Sequence, residues 1–142
     1  MKTAKSRLSP SLEDYMEIIL ELSLQGEKIR VTDIAVQLKN SKASVNQAIH
    51  ALVERGLVVH RRYGPVELTP EGAVYAAQVR ERHHLLRQFL MEVLGVEAET
   101  AECDACLMEH EISEETIECM IRFMTEREKP GSIPNGKSAG TR

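Results

Sequence analysis

The chain has 142 residues, is 42% hydrophobic and carries a formal net charge of −4. Its length and hydrophobic content allow it to bury one core, or two small cores that share a helix, and therefore exclude a disordered chain. Only 4% of its residues are aromatic and none is Trp, so the core must consist of aliphatic residues and Met, a composition that favours helices. No apolar run is long enough to span a bilayer and no apolar signal region follows the basic first residues, so a cytoplasmic protein without a membrane partner is expected.

The charge is divided unevenly between the two halves of the chain. Residues 1–70 hold ten Lys and Arg against eight Asp and Glu, whereas residues 71–142 hold eight against fourteen. A mildly basic half can approach phosphates, while an acidic half can hold cations or simply be well solvated. The two halves are therefore expected to have different partners.

Apolar residues at helical spacing predict three helices in the first half, over residues 9–24, 32–38 and 41–54. Ser9 and Thr32 are the expected N-caps of the first two helices, and Ser41 or Lys42 opens the third. After Gly56 the apolar period changes to two, which predicts a small β-hairpin that turns at residues 63–65. Three helices followed by a hairpin form, by element order, a winged helix-turn-helix.

The second half is predicted to be helical. A long helix is expected behind Thr69 and up to about Leu94, followed by helices over 98–111 and from the Ser113 cap to about Glu126. The predicted fold is therefore mainly α: a winged helix-turn-helix DNA-binding domain over 1–72, then a helical domain over 73–129. The composition of residues 130–142 predicts a disordered tail.

Polar residues at the start of the third predicted helix are candidates for reading DNA. They are Ser41, Lys42, Ser44, Asn46 and Gln47. Asn and Gln can pair bidentately with adenine, and Ser and Lys can hold phosphates or base edges. The alternative is that these side chains form a solvated helix face.

Two arginines near the tip of the predicted hairpin, Arg61 and Arg62, are the second candidate DNA contact. Arginines on an exposed turn can meet a phosphate backbone or enter a minor groove. An arginine pair at such a position can also serve only to prevent strand pairing. The adjacent helix-turn-helix favours the interpretation as a DNA contact.

Residues 102–111 hold the densest group of possible metal ligands in the chain. In a helix, Cys106, Glu109 and His110 would stand at i, i+3 and i+4 and would share one face. A thiolate, a carboxylate and an imidazole together suit a divalent transition metal better than Mg²⁺ or Ca²⁺.

Further ligands are predicted from two other helices. Asp14 and Glu17 stand at i, i+3 in the first helix, and His83 lies in the long helix. A site with these three residues would join the two halves of the chain. Metal binding would then fix the DNA-reading helices, which is a switch mechanism.

Five segments of the sequence resemble the diphtheria toxin repressor family, and most closely its short manganese-sensing branch. They are residues 11–17 (SLEDYME), the helix-turn-helix from 31–35 (VTDIA) through Ser44-Val45, residues 68–72 (LTPEG), Arg82-His83 followed by Leu85-Leu86 and Phe89-Leu90, and Glu109-His110. The resemblance covers about residues 8–127. It implies a repressor that, as a homodimer loaded with Mn(II) or Fe(II), binds a palindromic operator of double-stranded DNA and controls metal homeostasis genes. The second domain would then bind metal and dimerise.

The resemblance also implies that Asp14, Glu17, His83, Glu109 and His110 are metal ligands. Cys106 stands where the manganese-sensing branch usually has a carboxylate, and a thiolate moves the preference from Mn(II) toward Fe(II), Co(II), Ni(II) or Zn(II). Arg87 stands where related proteins tend to have an acid that helps to hold a second metal, and a guanidinium cannot be a ligand. Either the site holds one metal, or Glu102 or Asp104 replaces the missing acid.

Other functions are compatible with parts of the pattern. An enzyme using the same ligands would need a nucleophile or base beside an open coordination position, and the sequence has no G-x-S-x-G, H-E-x-x-H or comparable motif. A winged-helix regulator of a non-metal ligand, and an interaction module without DNA, are the remaining alternatives. Cys103-x-x-Cys106 lacks the βαβ context of a redox motif.

Overall fold

A computed structural model describes residues 7–62 and 64–127 of the chain. It divides between Glu81 and Arg82 into two compact units. The predicted boundary after Gly72 lies nine residues earlier, in the first turn of a helix that continues across the division. The prediction of a disordered tail concerns residues 130–142, which lie outside the described ranges.

The first unit begins with three helices, as predicted. They are α1 (Pro10–Leu24), α2 (Val31–Leu38) and α3 (Lys42–Glu54). The Ser9 hydroxyl accepts a hydrogen bond from the backbone N–H of Leu12, and Ser41 caps α3 in the same way. The predicted cap of α2 differs, because its N-cap is Arg30, whose N–H donates to the Asp33 carboxylate at 2.9 Å.

The hairpin consists of two short antiparallel strands, β1 (Val58–His60) and β2 (Val66–Leu68). Val59 pairs with Glu67, and Val66 also forms a bridge with Ile29 in the segment before α2. Tyr63, within the predicted turn, lies outside the described residues. The hairpin thus follows α3 directly in the chain and also pairs with the segment before α2, which is distant in sequence.

Three helices follow the hairpin: α4 (Pro70–Gln88), α5 (Ala98–Met108) and α6 (Glu114–Arg127). A π-helical turn, Phe89–Val93, continues α4 to nearly the predicted end. The helix predicted over 98–111 ends three residues early, because the backbone N–H groups of Glu111 and Ile112 both donate to the Met108 carbonyl and close a turn. The fold class is confirmed: mainly α, with one hairpin after the first three helices.

Gly72 sets how closely α4 approaches the hairpin. A Cβ atom at this position would lie 1.9 Å from the carbonyl oxygen of Leu57, so only glycine fits. The approach is reinforced at Thr69, whose N–H donates to the Leu57 carbonyl at 3.0 Å and whose hydroxyl donates to the Gly56 carbonyl at 2.7 Å. The start of α4 is therefore fixed to the winged helix by backbone contacts.

Each unit has an apolar core of its own. In the first unit the core consists of side chains from α1, α2, α3 and both strands, with Met16, Ile19, Ile34 and Leu52 fully buried. In the second unit a smaller core forms around Leu86 and includes Leu90, Ala101, Ala105 and Ile117. No helix in the described ranges is both long enough and apolar enough to span a membrane.

Candidate metal centre and DNA-binding face

The start of α3 presents the polar side chains that the sequence assigns to DNA. Ser41, Lys42, Ser44, Asn46 and Gln47 are all exposed. The opposite side of α3, including Val45, Ile49 and Leu52, is buried in the core of the first unit. The core thus anchors α3, and the candidate residues face solvent. Their role in binding DNA stays a prediction.

Ser41 and Ser44 also have a structural role. The Ser41 hydroxyl accepts from the N–H of Ser44 and donates to its hydroxyl, both at 3.1 Å. Lys42, Asn46 and Gln47 are therefore better candidates on α3 for DNA contacts than the two serines.

Arg61 and Arg62 are exposed directly after β1, where the Arg61 carbonyl accepts from the N–H of Gly64 at 2.8 Å.

In the second unit, His83 lies between two carboxylates. Its Nδ1 is 3.0 Å from Oε1 of Glu109, and its Nε2 is 2.9 Å from Oε2 of Glu102. His83 is on α4, while the two acids are seven residues apart on one face of α5 and its C-cap. The packing of α4 against α5 therefore brings an imidazole to a pair of acids that are distant from it in sequence.

Glu109 is the centre of this group. Its side chain is fully buried, and its Oε2 lies 3.3 Å from Nε2 of His110. Its backbone carbonyl accepts a hydrogen bond from Nε of the buried Arg82 at 3.1 Å. A fully buried carboxylate is costly without positive or donating partners, and the two histidines stand beside its two oxygens.

These donors fit a divalent transition metal. The 3.0 Å between His83 Nδ1 and Glu109 Oε1 matches the spacing of adjacent ligands around an octahedral ion with bonds of about 2.1 Å. Imidazole and carboxylate together suit Mn, Fe, Co or Zn. Within the second unit, His83, Glu109 and His110 are therefore brought together as a partial ligand set.

Glu102 binds a basic residue as well as His83. Its Oε1 forms an ion pair with Nε of Arg87 at 3.0 Å, while its Oε2 contacts His83. Arg87 stands one turn after His83 on α4, so the two side chains reach α5 side by side. Glu102, predicted as a possible ligand of a second metal, is thus held by a guanidinium.

The three other predicted ligands stand on α5 and on α1. Cys106 is exposed and, like Cys103, forms no disulfide, and it stands between Glu102 and Glu109 on the same side of α5. Asp14 and Glu17 are one turn apart on α1, in the first unit. The metal-binding roles of all three stay predictions.

Two family models match the chain in succession. The N-terminal DNA-binding domain of the iron-dependent repressors matches residues 7–66, and their metal-binding and dimerisation domain matches residues 69–137. The transcriptional regulator MntR of Salmonella typhimurium is 37% identical over 112 residues, which are 79% of this chain and 71% of that protein. The chain belongs to the iron-dependent repressor family. The resemblance to the diphtheria toxin repressor family is confirmed.

Further relatives are similar over much of the chain. The regulator MntR of Lysinibacillus sphaericus is 34% identical over 110 residues, or 78% of each chain. The solved structure of the manganese regulator SloR matches with a TM-score of 0.72 and 30% identity over 83% of this chain. This chain spans only 55% of SloR. The two MntR proteins are transcriptional regulators by name, and SloR is named as a manganese regulator.

Two polar contacts of this family member are absent from the sequence predictions. Arg82, adjacent to His83, supports the Glu109 carbonyl. Glu13, adjacent to Asp14, is 1% exposed and accepts a hydrogen bond at 2.6 Å from the hydroxyl of Tyr75 on α4. Arg82 and Glu13 are both adjacent to predicted ligands. In the sequence, the only sign of either contact is a charged residue beside the apolar stripe of a helix. Neither the burial nor the partner can be read from that signal.

Proposed function

We propose that this protein is a metal-dependent transcriptional repressor. Loaded with Mn(II) or Fe(II), it binds a palindromic operator as a homodimer in the cytoplasm and controls genes of metal homeostasis. One observation carries the proposal: a chain with an exposed, polar recognition-helix face also holds a buried carboxylate flanked by two histidines at ligand spacing. Because its named relatives are transcriptional regulators, we also propose that it is not an enzyme.

His83, Glu109 and His110 are the ligands that the second unit contributes to this site. Asp14 and Glu17 are proposed as the ligands from the first unit, on the family resemblance and on their i, i+3 spacing in α1. Three ligands do not complete an octahedral site, and two carboxylates are of the type that Mn(II) and Fe(II) accept. The bound ion supplies a Lewis-acidic centre that holds ligands from both units.

The proposed regulation depends on metal ligands that come from both units of the chain. A ligand set drawn from both units makes metal affinity depend on their arrangement, and by linkage the ion then favours one arrangement. An operator bound by a dimer needs two recognition helices at a fixed separation of about one DNA turn, roughly 34 Å. Restricting the position of α1 relative to the ligands of the second unit would restrict α3, because α1 and α3 share a core.

Cys106 is proposed as the residue that adjusts metal preference. It is exposed, and it lies on α5 between Glu102 and Glu109. A thiolate joining two or more carboxylates would improve the binding of Fe(II), Co(II) or Zn(II) relative to Mn(II). This proposal does not depend on the identity of the physiological metal.

The homodimer is proposed to form through the second unit, whose match is to a metal-binding and dimerisation domain. Large apolar side chains are exposed there, including Leu107 at 70% and Phe123 at 48%. Phe123 on α6 packs edge-on against Phe89, with ring centroids 6.1 Å apart. Exposed apolar side chains that lie close together are typical of protein interfaces.

The decisive experiment is an anaerobic fluorescence-anisotropy titration of DNA with the metal-free protein and with Mn(II), Fe(II), Co(II) and Zn(II) separately. The probe is a duplex selected from a random pool by the Mn(II)-loaded protein, and a scrambled duplex of the same composition is the control. We expect metal to tighten binding to the selected duplex by more than tenfold and binding to the scrambled duplex much less. Tight binding that ignores metal would instead favour a winged-helix regulator of a non-metal ligand.

A further inference from the structure

The imidazole of His83 has possible ligand atoms on both of its sides. On the Nδ1 side stands Glu109, which belongs to the metal site proposed above. On the Nε2 side stands Glu102, at 2.9 Å, so a second nitrogen and a second carboxylate also face one another. Such a pair could take part in binding a second cation.

On the Nε2 side of His83, the protein itself supplies a cation. Arg87 approaches Glu102 from α4, and its Nε lies 3.0 Å from Oε1 of the same carboxylate. Each oxygen of Glu102 therefore has a partner: Oε2 has His83 and Oε1 has Arg87. A guanidinium keeps its charge at any physiological pH, and because all its nitrogens are donors it cannot be a metal ligand.

We propose that Arg87 takes the place of a second metal ion, so that each chain binds one transition-metal ion and not two. This inference rests on the proposed function and specifies the stoichiometry of the same site. Glu102 is then not a metal ligand, because its two oxygens are paired with the guanidinium and the imidazole.

Two physical effects make Arg87 an obstacle to a second ion. A dication bound to Glu102 would lie within a few ångströms of the guanidinium, and the two like charges would repel each other. The position one turn after His83 on α4 also supplies no ligand, although a carboxylate there would face the same space. The charge and the missing ligand both act against a second site.

Glu102 has a different role in this arrangement. A histidine that binds a metal through one nitrogen usually donates its other ring N–H to a carboxylate, which fixes the orientation of the ring. Glu102 stands where it can accept from Nε2–H of His83 while Nδ1 faces Glu109. The pair of Arg87 and Glu102 thus positions His83, and Arg87 compensates the charge of the acid.

The test is metal stoichiometry, measured by anaerobic equilibrium dialysis of the full chain against Mn(II) with metal analysis of both compartments. Three proteins are compared: wild type, Arg87→Glu, and Arg87→Lys, which keeps the positive charge. We expect one Mn(II) per chain for wild type and Arg87→Lys, and two for Arg87→Glu. Low-temperature electron paramagnetic resonance of Arg87→Glu should show two magnetically coupled ions, because adjacent ions couple and a remote surface ion does not.

The outcomes separate this inference from the proposed function. Wild type that binds no Mn(II) would remove the proposed function and the inference with it. Wild type or Arg87→Lys that binds two ions would overturn the inference alone, and so would Arg87→Glu that binds one ion or two uncoupled ions. If Arg87→Glu does not fold, as judged by circular dichroism, the wild-type and Arg87→Lys stoichiometries still decide the question.

Discussion

Replacing Glu109 by Gln is the most informative single change in the proposed metal site. The substitution keeps the shape of a side chain that is fully buried, and it removes the charge that faces His83 at 3.0 Å and His110 at 3.3 Å. A neutral amide is a much weaker ligand than a carboxylate for a dication. We therefore expect Glu109→Gln to separate metal binding from folding.

The expected loss in metal affinity can be estimated. Removing a group that only supports a ligand costs 10–100-fold in affinity, so removing an anionic ligand should cost at least about 100-fold, or about 2.8 kcal/mol. At a metal concentration of 100 times the wild-type Kd, binding stabilises the wild type by about 2.7 kcal/mol but the variant by only about 0.4 kcal/mol.

The stability of the metal-free protein should change much less. A weaker hydrogen bond to His83 is offset because a charge is no longer buried, so we expect a net change within about 1 kcal/mol. The assay is thermal unfolding by circular dichroism with and without Mn(II), together with equilibrium dialysis. The control is Glu111→Gln, an exposed acid two residues further on that loses the same charge. An unchanged Mn(II) affinity in Glu109→Gln would refute the assignment of Glu109 as a ligand.

Three further changes test other parts of the molecule. Cys106→Glu should raise the response to Mn(II) relative to Fe(II), Co(II) and Zn(II) in the DNA-binding titration, because a carboxylate replaces a thiolate. Arg61→Ala should weaken binding to selected and scrambled duplexes alike and lower the salt slope by about 1, whereas Gln47→Ala should change sequence preference, measured by repeating the selection. Gly72→Ala should cost about 3 kcal/mol or more in urea unfolding, because its Cβ would overlap the Leu57 carbonyl.

Each of these changes has a matched reference. Cys103→Glu introduces the same charge on α5 at another exposed cysteine and should leave the order of metals unchanged. If Cys106→Glu also leaves it unchanged, Cys106 is not a ligand. Equal losses on selected and scrambled DNA for Gln47→Ala would remove its role in base reading. Ala77→Gly, at an exposed position of α4, should cost only about 1 kcal/mol, and a similarly small effect of Gly72→Ala would contradict the close approach.

Local features of the sequence determined most of the secondary structure. Ser9, Ser41 and Ser113 accept hydrogen bonds from the backbone N–H three residues later, and each marks the start of a helix that apolar spacing alone predicts. Such features act within one or two turns, so they can be read without knowledge of the fold. The end of α5 was predicted three residues too late, because no residue type in the sequence marks the turn that closes on the Met108 carbonyl.

The sequence by itself also determined the family and the candidate ligands, since both depend on residue types at fixed spacings. Only the tertiary structure decided which of those residues meet. The contacts of His83 with Glu102 and Glu109 span 19 and 26 residues, and they exist because α4 and α5 share a core around Leu86. Packing between distant helices, which no local pattern encodes, is also what brought Arg87 to Glu102.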